Sequence, residues 1–376
     1  MKTQCLFSQS SESLLRSVWA GTLSLMLFAI PQVQAVTSDQ WKQFNLNTVD
    51  HYVIPGYQAL SKESEQLLQA SKALCAKPDK PTEALQNART AFHNTMDAWQ
   101  RIQNIQFGPI QILMRNHSMQ FWPDKKNHVA KHLAQLISSQ DPQALSDEEF
   151  HKASVSIKGL PAIERLLFDI EDAKALLKRE FDCQVLVRIS AYTAQSAADI
   201  AREWQDMKQH YSNTQAEDSY FEDDIDAATS LLKTLVEPLE VIRDLKLVRP
   251  LGSAYGQQKA SRLESWRSER SLRNIQINID SLYQLYTGSK SDDTAEKRGL
   301  SALLDTQTDM AIKQQFSQIK QQLTAIPAPL ATAIETETGY KSLVTLAESL
   351  KALHGLLENA VAKLDVHLGF NSRDGD

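Results

Sequence analysis

The sequence is poor in the two residues that most often interrupt regular backbone structure. It has 376 residues, of which 12 are glycine and 12 are proline, and glycine stands at about half its usual share of roughly 7 %. Neither residue occurs between Ala162 and Glu237. Sandwiches and barrels of short strands need tight turns, which depend on residues that tolerate unusual φ angles. The scarcity therefore excludes such folds here, disfavours a doubly wound α/β fold, and predicts an all-α protein.

The sequence also lacks an excess of basic residues. Its formal net charge is −6 and its pI is about 5.9, so it has no bulk positive surface for a nucleic-acid backbone. It contains no GxSxG, P-loop or GxGxxG motif. Hydrophobic residues make up 42 % and charged residues 23 % of the chain, a balance typical of a globular protein rather than a disordered one. We expect no nucleic-acid partner.

The first 35 residues have the pattern of a secretory signal peptide. Lys2 and Arg16 precede an uncharged, largely apolar run over residues 18–30, which is shorter than the ~20 residues that a bilayer-spanning helix needs. A Val-Gln-Ala sequence ending at Ala35 then provides a small-residue cleavage site. We predict export with cleavage after Ala35. A retained N-terminal anchor is the alternative interpretation.

Cleavage leaves the mature chain with two cysteines, Cys75 and Cys183. An even pair of cysteines in an exported chain favours a disulfide. It would close a loop of about a hundred residues and stabilise the fold by roughly 4–5 kcal/mol in the chain-entropy account. Two buried free thiols are the alternative. A thiolate metal site is disfavoured because no further cysteine remains and no CxxC pair exists.

Apolar residues recur at helical spacing along most of the mature chain. Long helices are predicted over residues 174–209, 221–246 and 340–368, and the second and third carry apolar stripes whose members alternate three and four positions apart. Such stripes are typical of helices that pack in bundles. Pro238 is expected to kink the second helix.

These helices predict an all-α architecture of two antiparallel helical bundles that pack against each other with a cleft between them. The polar stretch between the two long central helices suggests the boundary. We therefore expect an N-terminal bundle over residues 36–214 and a C-terminal bundle over residues 215–376, after the signal peptide of residues 1–35.

Four short segments interrupt the helical pattern and together carry a resemblance. They are Phe107-Gly108-Pro109, Phe121-Trp122-Pro123-Asp124-Lys125, Gly159-Leu160-Pro161-Ala162-Ile163-Glu164-Arg165-Leu166-Leu167-Phe168 and Trp266-Arg267-Ser268. In order and spacing, over most of residues 48–290, the chain resembles the imelysin-like family of exported bacterial proteins. The resemblance implies two helical bundles facing each other across a cleft, a periplasmic or envelope location and a link to iron uptake. Some members of the family are described as metallopeptidases.

The family's Gly-x-His-x-x-Glu signature is altered in this chain. Gly159 and Glu164 hold the outer positions, and Pro161 replaces the histidine. A histidine and a glutamate three positions apart share a helix face and can bind one metal together, whereas proline has no donor atom. No HExxH or His-x-x-Glu occurs elsewhere, and the spaced pair His128 and His132 flanks an apolar helix face that favours solvated side chains. Glu164 is left as the only metal-ligand candidate of the signature, and iron as the cofactor that the resemblance suggests.

Eight residues of the interrupting segments and their surroundings are the candidate ligand contacts. They are Arg115, Trp122, Asp124, Gly159, Glu164, Trp266, Arg267 and Ser268. Ser268 is predicted to cap the helix that follows it, so that backbone N–H groups and nearby arginines form an anion site. The two tryptophans are plausible aromatic walls of the cleft.

Each of the other candidates has a functional and a structural interpretation. Gly159 would allow a close approach of backbone, and Arg115 and Arg267 would hold an anion. Glu164, in a largely apolar helix, needs a cation or hydrogen-bond donors. It therefore either ligates iron or a cationic group, or pairs with Arg165 of a neighbour or with Arg115. Asp124 follows a proline and suits a helix cap or a turn.

Three functions remain open from the sequence. The first is a periplasmic, non-catalytic imelysin-like binding protein associated with the uptake of iron or another nutrient, with iron or a small anionic ligand as its partner. The second is a metallopeptidase that uses Glu164. The third is a non-catalytic envelope interaction module with a protein partner in the cell envelope.

Overall fold

The computed structural model describes residues 35–288 and 299–369, and nearly all of the predicted signal peptide lies outside these ranges. Fifteen α-helices and no strand occur in the described residues, which confirms the all-α prediction. The helices are α1 (Ser38–Thr48), α2 (Ile54–Cys75), α3 (Pro81–Ile102), α4 (Arg115–Met119), α5 (His128–Ser139), α6 (Asp147–Lys152), α7 (Leu160–Phe168), α8 (Ala173–Leu177), α9 (Glu180–Ser212), α10 (Asp224–Glu240), α11 (Arg249–Leu251), α12 (Ser271–Thr287), α13 (Thr306–Ala325), α14 (Leu330–Ala333) and α15 (Glu337–Ala362).

The described part of the chain starts with a well-capped helix. The Thr37 hydroxyl accepts a hydrogen bond from the Gln40 backbone N–H, and the Gln40 side chain accepts one from the Thr37 backbone, which is a complete capping box. α1 continues through a π-helical turn, Val49–Val53, into α2. No described helix is long and apolar enough to cross a bilayer.

α2, α3 and α9 form the centre of the N-terminal part. α2 packs along both α3 and α9, and the disulfide between Cys75 and Cys183 joins the end of α2 to the first turns of α9. This confirms the predicted disulfide. The apolar face of α3 is buried and includes Phe92 and Trp99.

The C-terminal part rests on α10, α12, α13 and α15. The predicted apolar stripe of α15, from Leu343 to Ala360, is buried. α10 contains Pro238 and passes directly into a π-helical segment, Val241–Val248. Instead of only kinking, the helix widens after the proline, because a proline removes one backbone donor and its ring displaces the preceding turn.

Polar contacts join α3 to α12. The Asn278 amide donates to the Gln100 backbone carbonyl at 2.7 Å, and the Tyr52 and Ser281 hydroxyls lie 2.8 Å apart. On the other side of the molecule, the Asn45 amide donates to the backbone carbonyl of Asp224 at 2.8 Å. The described residues from Val36 onward form one compact unit, and a domain boundary near residue 214 stays a prediction.

Candidate functional site

A cleft of about 680 Å³ opens beside the polar contacts between α3 and α12. One wall comes from α3 and the residues after it, and the other comes from α10, the π-helical segment Val241–Val248 and α12. Residues from before and from after position 214 therefore line the cleft. A π-helical segment shifts the register of side chains around the helix axis, and such segments often occur at functional sites.

The floor of the cleft contains a buried lysine. Lys246, from the π-helical segment, lines the cleft although its side chain is only 3 % exposed. Its Nζ lies 2.9 Å from Glu264 Oε2 and donates to Gln100 Oε1 at 2.9 Å and to Asn278 Oδ1 at 2.7 Å. Burial lowers the pKa of Lys246, and the carboxylate of Glu264 opposes that shift. All three ammonium protons have acceptors, so the charge is held in a fixed position.

Glu264 completes this network from behind the cleft wall. Besides Lys246, it accepts hydrogen bonds from Gln120 Nε2 at 3.0 Å and Asn274 Nδ2 at 2.9 Å. Gln120 in turn accepts a hydrogen bond from Trp99 Nε1 at 2.5 Å. A buried charge needs such partners to offset its desolvation, and here they come from both walls of the cleft.

The rim of the cleft offers hydrogen-bonding and aromatic groups that face solvent more freely. Gln103, Gln111, Lys233 and the half-buried Trp122 all lie in the cleft lining. Amide side chains both donate and accept hydrogen bonds, and an indole ring adds a flat apolar face. The arrangement suits a polar ligand with several hydrogen-bonding groups.

The signature segment lies behind the cleft rather than in its lining. Gly159 is the N-cap of α7, and Pro161 lies in the first turn of that helix. A Cβ atom on Gly159 would lie 2.0 Å from the Ser118 carbonyl oxygen and 2.4 Å from that of Met119. Glycine is therefore required for the close approach of α7 to the end of α4, directly before Gln120.

Glu164 is held by Ser268. Its Oε1 accepts hydrogen bonds from the Ser268 backbone N–H at 3.0 Å and from the Ser268 hydroxyl at 2.6 Å. The residue is 5 % exposed, and burial raises the pKa of Glu164 while the two hydrogen bonds from Ser268 oppose that shift. The expected pairing of Glu164 with Arg115 does not occur, because Arg115 binds Glu203 instead.

The prediction that Ser268 caps the next helix is wrong. α12 begins at Ser271, and its N-cap is Arg270, which makes no side-chain capping hydrogen bond. Ser268 precedes the helix by a turn and uses its donors on Glu164. The donors that the sequence assigned to an external anion are thus occupied by an internal carboxylate.

We expect Glu164→Ala to lower the free energy of unfolding by about 1–3 kcal/mol, because it leaves buried Ser268 donors without an acceptor. Glu164→Gln keeps an acceptor oxygen and removes the ionisation. Since burial raises the pKa of Glu164 in the folded state, its ionised form costs stability, and this cost grows as the pH rises from the ordinary glutamate range. The gain of the Gln variant over wild type should therefore be larger near pH 8 than near pH 5.

Chemical denaturation at the two pH values measures both effects. The exposed Glu217→Gln serves as the control, for which we expect a change below about 0.5 kcal/mol at either pH. Equal stability of wild type, Glu164→Ala and Glu164→Gln would contradict the assignment of this hydrogen-bonded pair.

The remaining candidates take up internal roles. Arg115 forms a two-pronged pair with Glu203, with N–O distances of 2.5 and 3.0 Å. Asp124 accepts the backbone N–H groups of His128 and Val129, both at 2.8 Å, and so caps α5 in the way that its structural interpretation expected.

The fourth interrupting segment, around Trp266, is also internally paired. Arg267 donates to Asp169 at 2.8 Å and lies 4.3 Å from the centre of the Trp266 ring. Of the eight candidates, Trp122 lies in the cleft lining and the other seven do not. A role of those seven in ligand binding stays a prediction.

No group of three histidine, cysteine, aspartate or glutamate side chains with metal-binding geometry occurs within residues 35–288 and 299–369. The rings of His128 and His132 lie 5.2 Å apart, and His132 Nδ1 is within hydrogen-bond distance of the Ser154 and Ser156 hydroxyls. The His132 ring therefore has hydroxyl groups as hydrogen-bond partners.

Sequence reasoning missed the polar network of the cleft floor. A usable signal was present in α3 and directly after it, where Asp97, Gln100 and Asn104 recur at helical spacing. All three are buried in spite of their polarity. A polar stripe at that spacing indicates a second buried face beside the apolar one. The sequence contains no comparable pattern for Lys246 and Glu264. One residue follows α10 and the other lies in a loop, so no helical spacing indicates that they form a pair.

Three known proteins resemble this chain over most of its length. Iron-regulated protein A of Synechococcus elongatus is 26 % identical over 351 residues, which is 91 % of each chain. The crystal structure of an imelysin-like protein from Psychrobacter arcticum 273-4 has a TM-score of 0.72 at 21 % identity and covers 89 % of this chain and 98 % of its own. An iron-regulated protein A precursor from Parabacteroides distasonis has a TM-score of 0.73 at 18 % identity, with coverage of 87 % and 96 %.

The sequence model of one family extends over most of the chain. The family described as Imelysin matches residues 53–357, a range that contains the disulfide, the cleft and the altered signature. The two structural likenesses agree with this match in fold. The chain therefore belongs to the imelysin family.

Proposed function

We propose that the mature chain is an exported, non-catalytic binding protein associated with the uptake of iron or another nutrient, and that its ligand occupies the cleft. The observation that carries the proposal is the cleft itself, about 680 Å³ in volume, with a fixed lysine at its floor and amide and aromatic side chains at its rim. Cavities of this size with a few placed polar groups are typical of small-molecule sites.

The state of Glu164 supports a non-catalytic role. A metallopeptidase of the imelysin type would need this carboxylate to act on a metal or a water molecule. Here both hydrogen bonds to its Oε1 come from Ser268, the side chain is buried, and Pro161 supplies no metal-binding atom beside it.

The chemistry of the lining supports a chelated ion rather than a bare one as the iron-containing ligand. A bare iron ion needs several histidine, cysteine or carboxylate ligands around one point. His117, Glu237 and Glu240 lie in the cleft lining beside the amides, Lys233 and Trp122, but no three such side chains come together with metal-binding geometry in the part of the chain that the structure describes. An organic chelator presents oxygen atoms and flat groups that such side chains can bind. The relative from Synechococcus elongatus is named for its iron regulation, which agrees with an iron-linked ligand.

The proposed location is the periplasm. The support is the signal-peptide pattern of residues 1–35, the disulfide, which is typical of an oxidising compartment, and the word precursor in the name of the relative from Parabacteroides distasonis. An envelope protein partner that receives or delivers the ligand is part of the proposal.

A cleft-blocking variant tests the function. Ser230 lies on α10 in the cleft lining, so Ser230→Trp should fill the cleft and weaken the binding of ferric citrate or of a ferric hydroxamate chelate by at least about tenfold. Ser342→Trp places the same side chain at an exposed position on α15 and should leave the affinity within about twofold. Equilibrium dialysis with iron analysis measures both variants.

The same experiment separates the alternatives. Unchanged binding in Ser230→Trp, or no binding of either chelate by wild type, would refute the cleft as the binding site and favour an envelope interaction module. Proteolysis that is sensitive to metal chelators and lost in Glu164→Gln would refute the non-catalytic role.

A further inference from the structure

We propose that a cluster of arginines outside the cleft binds a small oxyanion of the phosphate or carboxylate type. The arginine cluster consists of Arg89, His93 and Asp97 on α3, together with Arg270 and Arg273 at the start of α12. None of these five residues lines the cleft, so the proposal is independent of the function proposed above.

One carboxylate serves two of the guanidinium groups. Asp97 pairs with Arg270 and with Arg273, and the Arg273 Nε–Asp97 Oδ1 distance is 2.9 Å. Arg270 is almost completely buried, with 3 % of its side chain exposed, and its Nε has no hydrogen-bond partner. A buried donor without a partner is costly, so an acceptor that reached Arg270 Nε would be stabilised.

Arg89 adds a third positive charge without a counter-charge. Its Nε donates to the Leu167 backbone carbonyl at 2.9 Å, and its Cζ lies 5.1 Å from the centre of the Phe168 ring. Within the described ranges it forms no ion pair. The Phe168 ring also lies 5.4 Å from the His93 ring, which places Arg89 on the same side of α3 as the rest of the cluster.

His93 is neutral and leaves the net charge of the arginine cluster unchanged. Arg270 Nη1 lies 3.1 Å from His93 Nδ1, where the ring nitrogen acts as the acceptor. Burial and then the charge of Arg270 lower the pKa of His93 to about 4, so the ring is neutral at pH 7. The cluster therefore carries three positive charges against the one negative charge of Asp97, while Glu264, whose charge also acts on Arg270, is paired with Lys246.

The helix direction strengthens the preference for an anion. α12 starts at Ser271, inside the cluster, and no side chain caps its first turn. The unpaired N–H groups of a helix start carry partial positive charge. Guanidinium groups pair with phosphate or carboxylate oxygens through parallel hydrogen bonds, and Arg273, which is 59 % exposed, leaves the cluster open to solvent.

Isothermal titration of the mature protein with inorganic phosphate, and separately with succinate, tests this site at constant ionic strength. We expect phosphate, succinate or both to bind wild type. Arg273→Gln and Arg89→Gln should each weaken that binding by about tenfold or more. Arg89→Lys keeps the charge with a different donor geometry, so it should give a smaller loss and provides a second test if Arg89→Gln does not fold.

Arg202→Gln is the matched control, because Arg202 is 68 % exposed and lies on α9 outside the cluster. Its affinity should stay within about twofold of wild type. Binding to phosphate alone or to succinate alone identifies which oxyanion fits. Absence of binding by both probes, or an equal loss in Arg202→Gln, would overturn the proposal, since the latter would show a general charge effect.

Discussion

Lys246→Met is expected to lower the free energy of unfolding by about 3–5 kcal/mol, because it leaves Glu264 as an uncompensated buried charge. Lys246 and Glu264 are 3 % and 2 % exposed in their side chains, and their charged atoms lie 2.9 Å apart. Removal of one partner therefore leaves the other charge in a largely desolvated position. Urea denaturation monitored by circular dichroism measures the loss.

The matched control for this prediction is an exposed ion pair of the same type. Lys341 pairs with Glu337 on α15, with side chains 71 % and 64 % exposed, and such pairs contribute about 0–1 kcal/mol. Lys341→Met should therefore change stability by less than about 1 kcal/mol. The double variant Lys246→Met/Glu264→Gln should recover part of the loss, since it removes the orphaned charge. A loss below about 1 kcal/mol in Lys246→Met alone would contradict the role of the pair.

Removal of the disulfide is expected to cost a similar amount. The bond closes a loop with a sequence separation of 108 residues, and the chain-entropy account gives roughly 4–5 kcal/mol for a loop of this length. The double variant Cys75→Ser/Cys183→Ser should show this loss in denaturant unfolding. In the folded state of this variant, the other contacts between the end of α2 and the start of α9 should be retained.

Reduction of the wild-type protein provides the control for the cysteine variant. A reducing agent should lower the stability of wild type to that of the double variant and leave the double variant unchanged. If the variant and the oxidised wild type unfold at the same denaturant concentration, the disulfide does not constrain the unfolded chain as described.

Much of the fold could be predicted from the sequence because helices leave a local pattern. The stretch without glycine or proline between Ala162 and Glu237 contains α9 and most of α10. The apolar stripe of α15 is determined by side chains three and four positions apart, and these are neighbours whatever the rest of the chain does. The π-helical segment after Pro238 left no such pattern, because it depends on how the turn relaxes around the proline.

The candidate site was less predictable because its contacts join distant parts of the chain. Glu164 and Ser268 both came from segments that the sequence marked as unusual, yet nothing in it showed that they bind each other. The sequence likewise contains no pattern that indicates the ion pair between Arg115 and Glu203 on α9. The charged residues Arg115, Glu164 and Arg267 of these segments form internal pairs in the structure, and their role in ligand binding stays a prediction.

The most direct test of the proposed function is to locate the iron. Crystals of the mature protein soaked with a ferric chelate, measured at the iron absorption edge, give an anomalous map that shows the ion's position independently of the rest of the ligand. The proposal predicts a peak within the cleft, between the rim residues Trp122 and Lys233. A peak beside Glu164, or no peak at a chelate concentration that saturates binding in solution, would contradict it.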